Sequence, residues 1–514
     1  MNFQSFCRQV ENCAKIPEGP VIDGFDISPY FTATQGTHRP QEFLAHFPHR
    51  HRNTLLSTCR QKDWKIIYNQ ASQKWELYNL RIDPFEKSNL VGEQPELALS
   101  LAKEMIKQLD KRVRNSNHLA MRAIIFSLVP AVLCLPVKGE DWPNWRGPRF
   151  DGISKETLPS KLPDTLPIKW RAKVGIGFSS FSVVGDRVFT MGNQEDRDTV
   201  WCLDASTGKA LWQHRYDCKL DPRYYEGGPG GTPTVHQSSV YTLSKKGHAF
   251  RLDLKTGKVT WSRDLIKDHK LELPEWSFAC SPFIEGDKVI LNVGREGIAL
   301  DRKTGKTLWL TDPGSSGYAT IVPQAKDRHL LFSAKSLMAI NLRDGSKYWE
   351  YAWKSSRDVN AADPVSVGDD IVVSSSAGTK RIRPKGNGKI PEDVWHQRDL
   401  KWYFNPGVLI DGHLYSLHGT THRPTELTCT DVETGETIWS EEGFGIGGLM
   451  AAGNHVIVFD LGKLTIFQAS PKRFTPVLQQ EILKGKCWTS PVIANGTIYC
   501  RNAVGDIVAV GLQP

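Results

Sequence analysis

The sequence predicts a mainly β chain whose C-terminal two-thirds forms an eight-bladed β-propeller, preceded by a small α+β segment. Two observations support this fold class. A short unit, Asp-x-x-Thr-Gly followed by Trp, recurs along 168–514 with a period of about 40–50 residues. A pair of short strands, most often opened by a proline, precedes the copies. Strand-rich repeats of this length are typical of propellers.

The repeated unit is most regular at its glycine and tryptophan. Four full copies carry both residues, and a fifth, decayed copy lacks the threonine. A lone tryptophan, Trp395, marks a further copy without its turn. The glycine–tryptophan pairs are Gly208 and Trp212, Gly257 and Trp261, Gly305 and Trp309, Gly345 and Trp349, and Gly435 and Trp439.

The strand pairs give the number of blades. They begin near residues 181, 233, 282, 323, 364, 406, 449 and 491, which makes eight. The last blade ends near Val510 before any tryptophan strand. Residues 168–174 have the sequence of that missing strand, so we expect the N-terminal side to complete the last blade and leave no open sheet edge.

The chemistry of the unit indicates a structural role. Asp and Thr side chains hydrogen-bond within turns, and glycine takes the positive φ that a tight hairpin requires. A tryptophan on the outer strand can bury its large ring between blades. We therefore interpret these residues as scaffold and not as catalytic groups.

The unit resembles the pyrroloquinoline quinone (PQQ) repeat of quinoprotein dehydrogenases and of the assembly lipoprotein of the BAM complex, over 140–512. The stretches 141–148 (DWPNWRGP) and 225–234 (YEGGPGGTPT) are similar to secreted bacterial PQQ-like proteins without assigned chemistry. Quinoprotein alcohol dehydrogenases hold PQQ between a Trp and two adjacent cysteines, with calcium bound by Glu and Asn beside a catalytic Asp. No two of the ten cysteines of this chain are adjacent.

Four residues are the candidates for such a site. Trp276 or Trp488 could form the floor of a cofactor pocket, although packing is the favoured interpretation for both. Glu226 and Asp363 lie where blades begin and could meet a metal, but a solvated loop carboxylate is favoured. We therefore assign no catalytic, cofactor-binding or metal-binding residue, and expect no cofactor; PQQ with calcium is the alternative.

Residues 121–139 have the layout of a secretory signal peptide. Met121 and Arg122 precede a run of apolar residues, and Val137 and Gly139 fit a cleavage site before Glu140. The alternative is a membrane-spanning helix, which would need about 20 apolar residues, and this apolar run is shorter. We expect export to the periplasm or beyond. Residues 1–120 are then either encoded by a separate reading frame that has been joined to this one, or part of a true fusion. The expected domains are 1–120, 121–139, an extended lead-in at 140–167, and the propeller at 168–514.

Residues 20–112 resemble the C-terminal subdomain of arylsulfatase-type sulfatases. The motifs that carry the resemblance are 23–29 (DGFDISP), 63–68 (DWKIIY), 75–80 (WELYNL) and 83–90 (DPFEKSNL). Strands are predicted at Thr54–Thr58, Trp64–Tyr68 and Trp75–Tyr78, and a helix after Pro95. The C/S-x-P-x-R motif of those enzymes does not occur in this chain. The resemblance therefore implies a fragment without sulfatase activity. Its histidines at 38, 46, 49 and 51 are interpreted as a polar loop, since their spacing does not match a helical metal pair.

Composition limits the function classes. The net charge is +9 without a dense basic block, which argues against nucleic-acid binding. Cys202 with Cys218 and Cys487 with Cys500 are possible disulfides in an exported chain; buried free thiols are the alternative. We expect a monomeric binding or scaffold module that holds a protein or polysaccharide on one propeller face, without a membrane span. The alternatives are a PQQ-dependent oxidoreductase and an inactive sulfatase relative.

Overall fold

The computed structural model divides the chain into two units, residues 1–138 and 139–514. In the first unit it describes 42–46, 56–69, 74–91, 93–94, 97–98 and 100–105. In the second it describes 139–512 except 160, 224, 326–327 and 422. The predicted signal peptide lies outside the described residues, apart from Gly139.

A four-stranded antiparallel sheet and a helix form the described part of the first unit. The strands pair in chain order and are β1 (Glu42–His46), β2 (Leu56–Gln61), β3 (Trp64–Asn69) and β4 (Lys74–Asn79). Helix α1 includes 97–98 and 100–105. Leu101 and Met105 of α1 pack on Ile66 and Leu77 of the sheet. The predicted sheet and helix are confirmed, with an additional strand: β1 was missed because its sequence, EFLAH, has no β-branched residue.

The second unit is an eight-bladed β-propeller, as predicted, and each blade has four antiparallel strands. Two strands precede the first blade, β5 (Ile153–Ser154) and β6 (Ile168–Lys173). In the seventh blade β5 is a short fifth strand that pairs parallel with the innermost strand. The first four blades are β7 (Ser182–Val184), β8 (Arg187–Gln194), β9 (Arg197–Asp204) and β10 (Ala210–Asp217); β11 (Thr234–His236), β12 (Ser239–Leu243), β13 (His248–Asp253) and β14 (Val259–Asp264); β15 (Phe283–Glu285), β16 (Lys288–Leu291), β17 (Ile298–Asp301) and β18 (Thr307–Leu310); and β19 (Val322–Ala325), β20 (Arg328–Phe332), β21 (Ser336–Ile340) and β22 (Lys347–Ala352).

The remaining four blades continue in chain order. Blades five to seven are β23 (Val365–Val367), β24 (Asp370–Ser375), β25 (Gly378–Arg383) and β26 (Glu392–Gln397); β27 (Val408–Ile410), β28 (His413–Thr420), β29 (Arg423–Asp431) and β30 (Thr437–Phe444); and β31 (Gly448–Ala452), β32 (His455–Asp460), β33 (Lys463–Gln468) and β34 (Pro476–Glu481). Blade eight contains β35 (Val492–Ala494), β36 (Thr497–Arg501) and β37 (Asp506–Gly511) together with β6. Helix α2 (Leu265–His269) follows β14, and a 3-10 turn covers Ser356–Asp358. The innermost strands begin within two residues of the predicted blade starts.

The ring closes through β6, as the sequence predicts. This strand pairs antiparallel with β37, with Arg171 opposite Val508 and Ala172 opposite Ile507. The last blade therefore takes its outer strand from the N-terminal side of the unit. Closure in this way removes the free sheet edges that an open ring would expose between its two ends.

The tryptophan of one blade packs on the glycine turn of the next blade. Between blades one and two, the indole of Trp212 covers Gly257 and donates from Nε1 to the Leu254 carbonyl at 3.0 Å. Within that turn Asp253 accepts from the backbone and side chain of Thr256, at 2.9 and 2.7 Å. The same arrangement joins Trp170 to Gly208, Trp261 to Gly305, Trp309 to Gly345 and Trp395 to Gly435. The structural interpretation of the repeat is confirmed.

Replacing Gly257 by alanine is expected to destabilise the propeller more than replacing Gly286. Both glycines have positive φ, +69° and +56°, so both variants bear the cost of a left-handed alanine. A Cβ at 257 would lie 2.5 Å from the Trp212 ring, whereas nothing lies within 4 Å of one at 286. The clash should add about 1–3 kcal/mol to the loss in free energy of unfolding caused by Gly257→Ala, which urea unfolding measures. Equal losses at the two positions would contradict the packing role of the indole.

The side chain of Arg501 joins the last blade to the first. Its guanidinium is 0% exposed and donates to the carbonyls of Ser179 and Met191, both at 2.8 Å. It also donates to the Gly175 carbonyl and to the Thr190 hydroxyl, both at 3.1 Å. One buried cation therefore fixes the backbone of the first blade against β36.

Residues 139–156 cross the centre of the ring, and we call this segment the plug. It contacts the innermost strand of a blade, or a residue beside that strand, at seven blades. These contacts are Trp142 with Val183, Pro143 with Val235, Phe150 with Phe283, Trp145 with Asp363, Arg146 with Gly407, β5 with β31, and Glu156 with Asn495 and Gly496. Residues 140–156 of the predicted extended lead-in are therefore an internal part of the propeller.

The cysteines of the described residues are free and buried, so neither possible disulfide is formed. Cys202 packs in the core between the first two blades, and Cys487 and Cys500 pack in the core around the eighth. Burial raises the pKa of Cys218 and of Cys487 to about 12, which keeps these groups as thiols. Among the described residues there is also no helix of the length and apolarity that a membrane span requires.

Candidate functional site

A cavity of about 790 Å³ opens on one face of the propeller, around its central axis. Most of its lining residues belong to the loops that lead from the outer strand of one blade to the inner strand of the next. Trp145 of the plug also lines the cavity. Axial cavities of this size are within the range of small-molecule binding sites.

Nine aromatic side chains line the cavity, and we call them the aromatic wall. They are Trp145, Phe178, Tyr225, Trp276, Phe278, Tyr318, Tyr403, Phe404 and Trp488. Four pairs of neighbouring rings form a continuous row, with centroids 5.5 Å apart for Tyr225 and Phe178, 5.6 Å for Phe178 and Trp488, 5.1 Å for Trp488 and Phe404, and 4.4 Å for Phe404 and Tyr403. The row offers a large apolar surface to any molecule that enters.

Two lysines stand among these rings. The Lys245 side chain donates from Nζ to the Tyr225 hydroxyl at 3.0 Å, and the residue is only 5% exposed. Burial lowers the pKa of Lys245. The Lys486 ammonium lies 4.4 Å from the centroid of the Trp488 ring, in cation–π geometry, and pairs with Glu226 at 2.9 Å. Both cations are therefore held in fixed positions at the cavity.

A third cation, Arg357, lies on the 3-10 turn at the cavity mouth. Arg357 and Asp358 both have φ of 55°, a left-handed conformation that is uncommon outside glycine. The Arg357 guanidinium is 3.7 Å from the Glu275 carboxylate. Two consecutive residues of this kind carry a conformational cost, and such strain concentrates at functional sites.

The carboxyl of Asp363 lies against the plug. Its two oxygens accept from Trp145 Nε1 at 2.7 Å and from the Thr320 backbone at 2.8 Å, and the residue is 3% exposed. Burial raises the pKa of Asp363 to about 6, although the nearby Arg146 charge opposes the shift. The expectation of a solvated loop carboxylate at 363 was wrong, because the plug covers this residue.

The structure brings three of the four sequence candidates together. Trp276, Trp488 and Asp363 line the same cavity, and Glu226 contacts it through the ion pair with Lys486. The two tryptophans are half-buried cavity residues and not core residues, which corrects the packing interpretation.

Sequence reasoning missed Lys245, Phe178, Tyr403 and Phe404, which also line the cavity. One sequence signal could have found part of the site. Tyr403 and Trp488 each precede, by three positions, the proline that opens the next blade. An aromatic residue at that offset is placed at the entrance to an inner strand.

The residues of the cavity do not fit the calcium that the quinoprotein resemblance implies. Among the described residues, no group of three or more His, Cys, Asp or Glu side chains could hold a metal ion. Asp363 is an acid of the cavity lining, and protein donors occupy both of its oxygens. Of the histidines at 38, 46, 49 and 51, only the backbone of His46 lies within the described residues.

Comparison with known proteins identifies the family of the propeller. A family model of PQQ repeats, described as outer membrane protein assembly factor BamB, matches residues 167–309 and 196–441, more than half of the chain. The chain belongs to this family. BamB of Yersinia pestis is 23% identical to it over 292 residues, which cover 53% of this chain and 72% of that protein.

Solved structures agree with the BamB-type repeat fold. Quinohemoprotein alcohol dehydrogenase from Comamonas testosteroni is similar with a TM-score of 0.56 and 12% identity, over 73% of this chain and 81% of that one. A europium-containing methanol dehydrogenase is similar with a TM-score of 0.53 and 12% identity, over 73% and 89%. At these identities the similarity shows the fold alone.

Proposed function

We propose that this chain is a binding module that takes its ligand into the axial cavity and performs no catalysis of its own. The observation that carries the proposal is the aromatic wall, which Trp145 of the plug completes within the propeller. Rings of this kind bury much area on binding and favour a defined orientation of the ligand. The lysines then add charge at fixed positions.

The family relationship supports a scaffold role outside the cytoplasm. The relative in Yersinia pestis is described as an outer membrane protein assembly factor. Together with the signal-like segment at 121–139, this favours a periplasmic or secreted location for our chain. In such a role the propeller presents its cavity face to a partner and holds that partner through a group that enters the cavity.

A fluorescent dye tests whether the cavity binds. We expect 8-anilinonaphthalene-1-sulfonate, a ring-bearing anion, to bind the full chain in a one-to-one ratio. Trp488→Ala should weaken this binding at least about tenfold, equivalent to 1.4 kcal/mol, because it removes a ring at the middle of the row. Titration of dye fluorescence gives the dissociation constants of the native chain and of Trp488→Ala.

The control for this test is Leu308→Ala, which removes an apolar side chain that is 46% exposed on an outer strand away from the cavity. It should leave dye binding unchanged. Near-ultraviolet circular dichroism must show that every variant keeps its packing, because this dye also binds loosely packed states. Failure of the native chain to bind, or equal binding by Trp488→Ala, would count against the proposal.

A PQQ-dependent oxidoreductase is the second candidate, and the ring-lined cationic cavity is the observation in its favour. The adjacent cysteines and the calcium donors of those enzymes have no counterpart among the described residues. Titration of the full chain with PQQ and calcium, followed by quinone absorbance and alcohol oxidation, tests this candidate. Bound quinone with turnover would favour it over the binding module.

The first unit carries a third, separate proposal. Its sequence resemblance to the tail of arylsulfatase-type sulfatases comes without the motif that supplies their nucleophile. We therefore propose that residues 1–120 add no hydrolase activity. Hydrolysis of an aryl sulfate by the full chain would contradict this.

A further inference from the structure

The shape of the aromatic wall indicates a ligand that is not flat. Successive rings are inclined to one another, by 51° for Tyr225 and Phe178, 28° for Phe178 and Trp488, 37° for Trp488 and Phe404, and 59° for Phe404 and Tyr403. A flat molecule can stack on one ring of such a row but not on several. A chain of puckered rings, each turned relative to the last, can place an apolar face on several of them.

Sugar rings have the required surface chemistry. Their axial C–H groups form an apolar face that packs on aromatic rings, while hydroxyl groups at the edge require hydrogen-bond partners or water. The cavity lies in the upper part of the size range of ligand sites and has room for several such rings.

The charges in the cavity indicate an acidic ligand. Lys245, Lys486 and Arg357 line it, and Asp363 is covered by its hydrogen bonds to the protein. The carboxylate of Glu226 offsets the charge of Lys486, and that of Glu275 offsets the charge of Arg357. Among the described residues, Lys245 is therefore the lining cation that forms no ion pair.

Lys245 is the cation of the cavity that most favours an anionic ligand, because it is buried. It carries three N–H donors, and one of them is directed to the Tyr225 hydroxyl. Within the described residues no carboxylate lies within 4.0 Å of its Nζ. Asp221 and Asp198 attract this ammonium from farther away. A buried cation carries a desolvation cost, and an anionic group of a ligand in contact with it would offset more of that cost.

Resting on the proposed function of the axial cavity, we propose that its ligand is an acidic oligosaccharide. The sugar rings pack on the row from Tyr225 to Tyr403, and carboxylate or sulfate groups of the sugar pair with Lys245, Lys486 and Arg357. Arg357, which lines the cavity at its mouth, suits the two oxygens of such a group because a guanidinium donates in a planar fork.

Calorimetric titration of the full chain with three tetrasaccharides tests this proposal. The probes are tetragalacturonate, which carries carboxylates, a sulfated carrageenan tetrasaccharide, and neutral cellotetraose. We expect at least one acidic probe to bind at least about tenfold more tightly than the neutral one. The acidic probe that binds identifies carboxylate or sulfate as the recognised group. Raising the salt from about 50 mM to 500 mM should weaken acidic binding only.

Charge removal gives the second readout. Lys245→Met with Lys486→Met should weaken the acidic probe at least about tenfold. It should weaken the dye less, because the dye loses the pairing of one sulfonate but keeps the rings on which it packs. If the double variant does not fold, Lys486→Gln alone takes its place, because it is a milder change at a half-buried residue. This single variant should weaken binding of the acidic probe severalfold. Lys306→Met, on an exposed turn outside the cavity, is the matched control and should have no effect.

The outcomes separate the two proposals. Dye binding without binding of any acidic tetrasaccharide would overturn the inference and leave the binding module standing. Equal binding of acidic and neutral probes would overturn the role of charge, and binding of PQQ in place of the sugars would overturn the ligand class. If neither the dye nor any sugar binds, the proposed function itself fails.

Discussion

Arg501→Met is expected to lower the free energy of unfolding of the propeller by about 3–5 kcal/mol. The native guanidinium serves four oxygen acceptors of the first blade region from a fully buried position. Methionine fills similar space but donates no hydrogen bond, so oxygens that bonded to the cation are left buried with fewer partners. Two of these acceptors, Thr190 and Met191, lie on β8 of the first blade, and the other two lie in the connection from β6 to β7. Because the cation lies on the last blade, the loss acts at the closure of the ring.

Urea unfolding followed by tryptophan fluorescence measures this loss. Arg343→Met, on an exposed turn of blade four, is the control and should change stability by no more than about 0.5 kcal/mol. Arg501→Lys should lie between the two, because an ammonium keeps the charge but cannot reach all four acceptors with the geometry of a planar fork. A loss of less than about 1 kcal/mol for Arg501→Met would show that the contact contributes little to closure.

The stability of wild type relative to Asp363→Asn is expected to fall by about 3 kcal/mol as the pH rises from about 3 to 7. The pKa of this carboxyl is near 3.9 in the unfolded chain and is raised to about 6 in the fold. The folded state therefore binds the proton more tightly. The contribution of this group is complete below about pH 4 and is lost as the pH rises through 6.

The difference between the two unfolding curves isolates this group from other titrations. Asparagine does not titrate here, and its poorer fit to the Trp145 and Thr320 donors adds an offset that is independent of pH. Asp369→Asn, which changes an exposed carboxylate on a nearby turn, is the control for the substitution itself. Parallel curves for wild type and Asp363→Asn would mean that the carboxyl keeps an ordinary pKa.

The blades and their closure could be predicted because the sequence encodes them locally. Each Asp-x-x-Thr-Gly turn specifies its own hairpin, and each tryptophan lies at a fixed distance from it. The strand at 168–173 could be recognised as the missing partner of β37 because it has the same tryptophan as the other outer strands. The motif in any one blade is a weak indication of its structure, but its recurrence along the chain makes the prediction of the propeller strong.

The site could not be predicted in the same way, because its contacts join distant residues that do not repeat. Asp363 has the sequence context of a solvated loop, and only the arrival of Trp145 from the plug buries it. Lys245 lies in an ordinary hairpin turn, and its place beside Tyr225 depends on the arrangement of neighbouring blades. The strand at 42–46 was missed for the opposite reason, because its local signal is weak while its neighbours supply the pairing.

The closing strand β6 also sets an order of events during folding. It is synthesised before any blade, whereas its partner β37 is synthesised last, so Trp170 and Ala509 pair only when nearly the whole unit has been made. Contacts between such distant positions form slowly, and until then β6 presents an unpaired edge to other chains. Aggregation of newly made chains should therefore be sensitive to the sequence of β6, and a circular permutant that carries 139–174 after residue 512 should shorten the exposure of that edge.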